Sequence, residues 1–492
     1  MPKNVSKKTF YVTTPIYYIN AKPHIGHAYS TIVADVLARW HRNLGEETFF
    51  SVGTDEHGAK IAEASEKQGL PPKEFADIMS EKFRECWKLL NIQYDDLIRT
   101  TETRHKESVV SFMQELYKRK FIYQAEYEGW YCKGCEKFLT EKELVSGMCP
   151  DHKRPAEWIK EKNYFFKLKK FLPKIQQMIC DGDMQIVPKK RENEVLSLLK
   201  QNLPDFSVSR QNVRWGIPLP FDPTQTIYVW VEALQNYISI LGFSTTAAQQ
   251  GERFQKFWPA DVQIIGKEIS KFHCIFWPAL LLALALPLPK KFLVGGFFTF
   301  DGQKMSKSLG NVLAPKTLVE RFGVDGTRFL LLSQFPYGED GDIALAGCVE
   351  RYNAHLADNV GNLVSRIGTM IQKYLQGRIE THPEKQIILE ETNKSIEERF
   401  SALMARDQIQ EALLSLFEAS TKLNQHIEEV KPWKLAKTHP TILKQHLLSW
   451  SHTLHVIGRC LAPFLPNTGE RIQRAFRGPE FQNPGILFPK IS

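Results

Sequence analysis

Strand and helix signals alternate through the first 115 residues, break off near Lys118 and resume at Thr226, which limits the chain to an α/β sheet carrying an insertion. Thr9 to Thr14 is a β-branched and aromatic strand. After Pro23 the apolar positions Ala28, Ile32, Val36, Leu37, Trp40 and Leu44 form a helical stripe that Gly45 closes. A second strand over Thr48 to Val52 leads through polar GTDEHG into helical sequence to about Leu90, giving a βαβ opening. From Lys118 to Pro220 cysteine pairs, lysine-rich segments and aromatics replace the alternation. It returns over Thr226 to Ile240 and Val262 to Leu286. Gly295 to Asn311 is loop-rich, and from about Cys348 helix follows helix, as in a bundle.

With 43% hydrophobic and 24% charged residues in 492, the chain has the material for several packed cores, and global disorder is excluded. The longest apolar run, Cys274 to Leu288, is shorter than the ~20 residues of a spanning helix and contains Pro278 and Pro287, so no membrane is expected. The N-terminus runs straight into strand sequence without a leader pattern, which places the protein in the cytoplasm. Net charge is +9, and the segment from Lys153 to Lys200 holds 12 basic against 6 acidic residues. That excess fits a polyanionic partner or a solvated basic face. Eight cysteines in a chain this long are not a secreted disulfide framework.

Three clusters carry chemistry. Between the first strand and its helix lies Pro23-His24-Ile25-Gly26-His27, where backbone N–H groups and the helix dipole face an anion and two imidazoles can donate to phosphate oxygens. Lys304-Met305-Ser306-Lys307-Ser308, between Gly302 and Gly310, sets two lysines and two hydroxyls in a hinged loop that can close over a polyphosphate. Alone, the first reads equally as turn residues and the second as solvated surface; together they serve one phosphoryl chemistry. Finally, Cys132 and Cys135, then Cys149 and His152, have the spacing of a tetrahedral Zn2+ site with no position left for water, hence a structural role.

The sequence resembles the class I aminoacyl-tRNA synthetases and, more narrowly, the methionyl-tRNA synthetases. The resemblance is carried by HIGH at His24 to His27, KMSKS at Lys304 to Ser308, and also by TPIYYINAKPHIGHAYSTIVADVLAR, GTDEHG, YVWVEALQNY, IGKEISKFHCIFWPALL, DNVGNLVSR and VKPWKLAK. It implies a Rossmann-type parallel-sheet catalytic domain over 1–117 and 226–294, split by a connective insertion with a zinc knuckle over 118–225. A KMSKS-containing linking domain over 295–345 and an all-α anticodon-binding bundle over 346–492 would follow.

The implied reaction is ATP-dependent attachment of L-methionine to tRNA(Met), including initiator tRNA, with Mg2+ accompanying ATP. His24, His27, Lys304 and Lys307 would be catalytic. ATP would bind at His24, Gly26, His27, Gly266, Lys267, Glu268, Lys304, Met305, Ser306 and Lys307, with Glu268 standing where some relatives carry Asp. Asp55 would hold the methionine amine. Ile16, Tyr18, Trp230, Ala233, Leu234, Tyr237, Ile269, His273 and Phe276 would line its side-chain cavity, Leu234 replacing a proline of some relatives. Asn362, Arg366 and Trp433 match the anticodon-reading positions. The absence of an appended C-terminal OB-fold leads to the expectation of a monomer. Another superfamily activity, or a noncatalytic zinc-containing RNA-binding protein, are the rival readings, and amino-acid-dependent pyrophosphate exchange separates them.

Overall fold

The structure, a computed structural model, describes residues 7–133, 137–139, 141–150, 153–201, 203–300, 303–304, 313–379 and 390–492. The chain divides into two compact units. The first comprises Met1–Pro23, His41–Glu85 and Gln93–Gly295; the second joins His24–Trp40 and Cys86–Ile92 to Gly296–Ser492.

The first unit is built on a parallel sheet. Along the chain, β1 (Thr9–Thr13), β2 (Tyr17–Tyr18), β3 (Glu47–Asp55) and β4 (Asp96–Arg99) form its first part. Then β5 (Ile122–Cys132), β6 (Lys137–Leu139) and β7 (Glu157–Phe166) begin an antiparallel sheet, β8 (Gln185–Val187) returns to the parallel one, and β9 (Phe206–Ser207) pairs with β7. A small antiparallel group, β10 (Ser209–Arg210), β11 (Pro218–Leu219) and β12 (Asp222–Ile227), precedes the last parallel strands, β13 (Val262–Gly266) and β14 (Lys291–Gly295). The parallel order is β2-β3-β1-β13-β14-β8, with β4 also on β3. Strands buried on both faces need continuous apolar runs, which Phe10 to Val12, Ile264 to Ile265 and Phe292 to Val294 supply. One apolar core runs from Tyr11 and Phe49 through Trp277 to Val294.

In the second unit, α1 (Ile25–Asn43) buries Ala28, Ile32, Val36 and Leu37 as their spacing predicts. Leu44, the last position of the predicted stripe, lies beyond the helix and is 54% exposed, because Gly45 turns the chain at φ +79°. The segment read as loop-rich contains short strands, β15 (Phe298–Phe300) and β16 (Gln303–Lys304), and β15 pairs in parallel with β17 (Gly341–Ile343). In the first unit α2 (Val229–Leu234) follows β12. The helices of the C-terminal part are α3 (Pro315–Ser333, broken at Gly323), α4 (Leu345–Tyr352), α5 (Asn362–Leu375), α6 (Glu390–Met404), α7 (Ile409–Val430), α8 (Pro432–Thr438), α9 (Pro440–Leu461) and α10 (Pro466–Phe476). Buried Leu443, Leu447, Trp450, Leu454, Ile457 and Leu461 recur at helical spacing on α9 and give the bundle its seam. Among the described residues no helix is long and apolar enough to cross a membrane.

Candidate active site

Ligands of open α/β sheets bind at the carboxyl ends of the strands, and β3 ends there on buried Asp55, 2% exposed. Two residues earlier, Gly53 has no room for a side chain: a Cβ would lie 2.5 Å from Ile16 and 2.7 Å from Ile98. The missing methyl lets Ile16 settle against β3. Tyr18 meets the Trp230 ring edge-on at 6.2 Å, and Trp230 stacks on Phe272 at 4.1 Å. Ile16, Tyr18, Trp230 and Ile269 pack, partly buried, on the core that contains Leu234, Tyr237 and Phe276; Ala233 is also buried.

A π-helical stretch, Phe272–Phe276, turns His273 inward. Its Nδ1–H donates to the Ile269 carbonyl at 3.0 Å, so Nε2 accepts from the Tyr237 hydroxyl at 2.7 Å. Burial pulls the His273 pKa down to about 4, keeping the ring neutral, and pushes the Tyr237 phenol up. The Tyr11 hydroxyl, in turn, donates to the Tyr237 carbonyl at 2.8 Å. The result is an aromatic wall with its polar atoms satisfied inside the wall, suited to an unbranched apolar side chain.

At the end of β13, Gly266 leads into a turn over Lys267–Ile269. The Glu268 carboxylate folds back over the glycine, and a Cβ at Gly266 would stand 2.6 Å from Oε2. This sets a backbone edge and a carboxylate beside one another at a strand end.

The family resemblance singled out Asp55 within GTDEHG and passed over its neighbours. Glu56 is fully buried; its carboxylate accepts Arg99 Nε at 2.7 Å and Nη2 at 3.0 Å, and the Thr54 hydroxyl at 2.7 Å. The indole N–H of Trp215 donates to the Glu56 carbonyl at 2.6 Å. Buried His57 meets buried Glu232 of α2, Nδ1 to Oε1 at 2.9 Å. Two adjacent acids and a histidine in one polar run were the available signal.

In the second unit, His24 and His27 stack at 3.7 Å at the start of α1. The Gly26 N–H donates to His24 Nδ1 at 3.1 Å, which leaves the ring proton on Nε2. A Cβ at Gly26 would stand 3.0 Å from that ring. Lys304 enters as backbone paired with Thr299, and Met305, Ser306 and Lys307 lie outside the described residues.

Of the predicted metal ligands, Cys132 and Cys149 are 2% and 0% exposed and share a small cluster with Leu139 and Ala156. The backbone doubles back at Cys149, whose N–H donates to the Arg154 carbonyl at 2.9 Å and whose carbonyl accepts from Lys153 at 2.8 Å. Cys135 and His152 lie outside the described residues, and among the described ones no three metal-binding side chains converge. Two buried thiols, one at the end of β5 and one on a tight turn, are donors of the kind a thiolate-rich structural site uses.

In the bundle, Asn362 is exposed at the start of α5, and one turn later Arg366 pairs with Glu428 of α7, Nη2 to Oε1 at 2.5 Å. Trp433 is 46% exposed on α8, which opens with Pro432 after Lys431 at φ +52°.

The family model for tRNA synthetases class I (M) matches residues 10–158 and 151–368. A methionine–tRNA ligase of Caldanaerobacter subterraneus subsp. tengcongensis is 43% identical over 471 residues, 95% of this chain and 73% of that protein. One from Rickettsia felis is 39% identical over 513 residues, covering 99% of each. The solved Mycobacterium tuberculosis methionyl-tRNA synthetase in complex with methionyl-adenylate matches with a TM-score of 0.91 at 33% identity, over 98% of this chain and 100% of that one. From the span of the family model and the identity to these relatives, the chain belongs to the methionyl-tRNA synthetases of class I.

Proposed function

We propose that the residues named above carry out methionine activation and tRNA charging in two steps, and that Asp55 and the aromatic wall select the amino acid. The observation that carries this reading is the buried carboxylate at the end of β3 in the same unit as the Trp230–Phe272 stack and the neutral Tyr237–His273 pair. One acid for an ammonium group and an apolar slot without a second charge are what L-methionine requires.

In the first step the methionine carboxylate attacks the α-phosphorus of ATP, the bond to the β-phosphate oxygen breaks, and pyrophosphate leaves. In the second, a terminal ribose hydroxyl of the tRNA takes the acyl group, its proton is lost and AMP departs. No protein nucleophile is needed, since the substrate supplies one, so the work is positioning and charge stabilisation. His24 and His27 donate to phosphate oxygens, with Gly26 letting the backbone approach. Gly266, Lys267 and Glu268 hold adenosine, Glu268 accepting from ribose hydroxyls. Lys304 and Lys307 neutralise the leaving pyrophosphate and, with Met305 and Ser306, bind ATP; Mg2+ accompanying the nucleotide would share that charge. Ile16, Tyr18, Ala233, Leu234, Ile269 and Phe276 complete the slot around the thioether.

Cys132, Cys135, Cys149 and His152 would hold Zn2+, which when bound folds the knuckle of the 118–225 insertion. Asn362, Arg366 and Trp433 would read the anticodon of elongator and initiator tRNA(Met). A cytoplasmic monomer completes the reading.

Amino-acid-dependent pyrophosphate exchange, run across the twenty amino acids with and without tRNA, tests it. Exchange with methionine alone is expected, and Lys307→Ala should lower it roughly 100-fold with methionine affinity little changed, as for loss of a contact made only in the transition state. Exchange without amino-acid preference, or unaltered in Lys307→Ala, would overturn the assignment.

A further inference from the structure

In the second unit, Arg328 on α3 is fully buried and spends the three nitrogens of its guanidinium on three other pieces of chain. Nη2 donates to Asp35 of α1 at 2.7 Å and to the Pro463 carbonyl at 3.1 Å, Nε donates to the Phe464 carbonyl at 2.7 Å, and Nη1 donates to the Leu90 carbonyl at 3.2 Å. The same Asp35 oxygen accepts Arg39 Nε at 2.7 Å, and Arg39 reaches on to the Asn91 carbonyl at 2.7 Å. The Asn91 amide donates to Asn467 at 3.3 Å, whose own amide donates to Asp325 at 3.3 Å, one turn before Arg328. Asp325 also accepts the Thr468 N–H at 2.6 Å. These side chains close a ring through α1, the turn at 90–91, α3 and the junction of α9 and α10.

Burying an ion pair is a weak route to stability, because well-packed apolar residues of like volume do as well or better. What the ring supplies instead is geometry. A guanidinium satisfied by three carbonyls and a carboxylate permits one arrangement of the segments it touches. Asp35 and Arg39 are one turn apart on α1, so holding both fixes the axis of the helix. At ~1.5 Å per residue, Ile25 lies ~15 Å along that axis from Asp35, and a tilt of ~10° there would displace the helix start by ~2–3 Å. A shift of ~1 Å in a positioned group already costs ~100-fold in rate.

We propose that Arg328 is a positioning residue for the adenylation step: through Asp35 it sets the angle of α1, and with it the placement of His24 and His27, against the α9–α10 junction of the bundle. The inference rests on the phosphate-binding role given to the two histidines above. No methionine-pocket residue lies on α1 or α3.

The test is methionine-dependent pyrophosphate exchange of Arg328→Lys, which keeps a charge beside Asp35 but loses the fork, with thermal melts to establish that the enzyme is folded at the assay temperature. A ten-fold or greater fall in kcat with the methionine KM within two-fold is expected. A lowered melting temperature with kcat per folded molecule unchanged would overturn the proposal, since a merely structural role predicts that pattern. Should Arg328→Lys not fold, Arg39→Gln reads the same anchor from a side chain 12% exposed: a three-fold or larger fall in kcat at unchanged KM supports the proposal, and full kcat overturns it. His24→Ala and His27→Ala serve as controls. If they keep full exchange, the role of the histidines fails; if they lose it while the arginine variants do not, the positioning role alone fails.

Discussion

His57 and Glu232, 175 residues apart in sequence, meet at 2.9 Å with their side chains 2% and 0% exposed, and so tie the loop after β3 to α2. Asp55 lies two residues before His57, and Trp230, Ala233 and Leu234 flank Glu232. The pair therefore sets the distance between the acid proposed for the methionine amine and the wall proposed for its side chain. Glu232→Ala is expected to raise the methionine KM ten-fold or more while kcat at saturating methionine stays within about three-fold, since leaving the buried His57 ring without its hydrogen-bond partner costs ~1–3 kcal/mol. Glu232→Gln, which retains an acceptor, should fall between. Methionine titration followed by tryptophan fluorescence would reveal it, and an unchanged affinity in the alanine variant would show that the pair does not set the pocket.

The buried histidines make stability depend on pH in a defined direction. Burial holds His273 neutral down to about 4 and His105, bonded through Nδ1 to the Ser239 hydroxyl at 2.8 Å, down to about 3. In the unfolded chain both take up protons near pH 6.5, so between 6.5 and 4 the unfolded state binds more protons. Their contribution is complete above pH 6.5 and is lost as the pH falls, toward 4 for His273, where the loss amounts to ~3 kcal/mol, and toward 3 for His105. Urea unfolding at pH 7.5 and 4.5 should show His273→Gln losing less stability than the parent over that interval. Equal losses in both proteins would remove His273 from the account.

The bundle and α1 were legible because their helices keep one period with the core on one side, and the strand that became β1 because its β-branched and aromatic run is buried on both faces. Asp55 was singled out only through the family resemblance, and Glu56 and His57 were not singled out at all. Their burial depends on Arg99, Trp215 and Glu232, which sequence spacing does not bring near. Strand β8 escaped notice for a related reason: three residues in a lysine-rich stretch show no alternation, and only pairing with Lys291, Phe292 and Leu293 of β14 makes them a strand. Asp35 and Arg328 carry no sequence signal as a pair: they stand 293 residues apart, and only the fold buries both.

Trp433 gives the clearest separation of the two chemical steps. Its indole is 46% exposed on α8, where a single helix-start aromatic has more surface in water than packing requires. A base stacked on such a ring contributes ~1–3 kcal/mol. Trp433→Ala should accordingly raise the KM for tRNA by roughly 5- to 150-fold in aminoacylation, leaving tRNA-independent pyrophosphate exchange as it was. A loss of exchange would mean that the tryptophan serves the fold and not the tRNA.

The knuckle tests whether a metal replaces a missing core. Cys132, Leu139, Cys149 and Ala156 form a cluster of their own, separate from the large core of the first unit. So small a cluster supplies little apolar burial, and a bound structural metal contributes folding free energy directly where a core is lacking. Purified protein should thus contain one zinc per chain. Cys149→Ser should lose it and become sensitive to protease between residues 133 and 156, while the parallel sheet, with its separate core, keeps its protection. Metal-free protein whose 133–156 segment resists protease would show that the two thiols are packing residues.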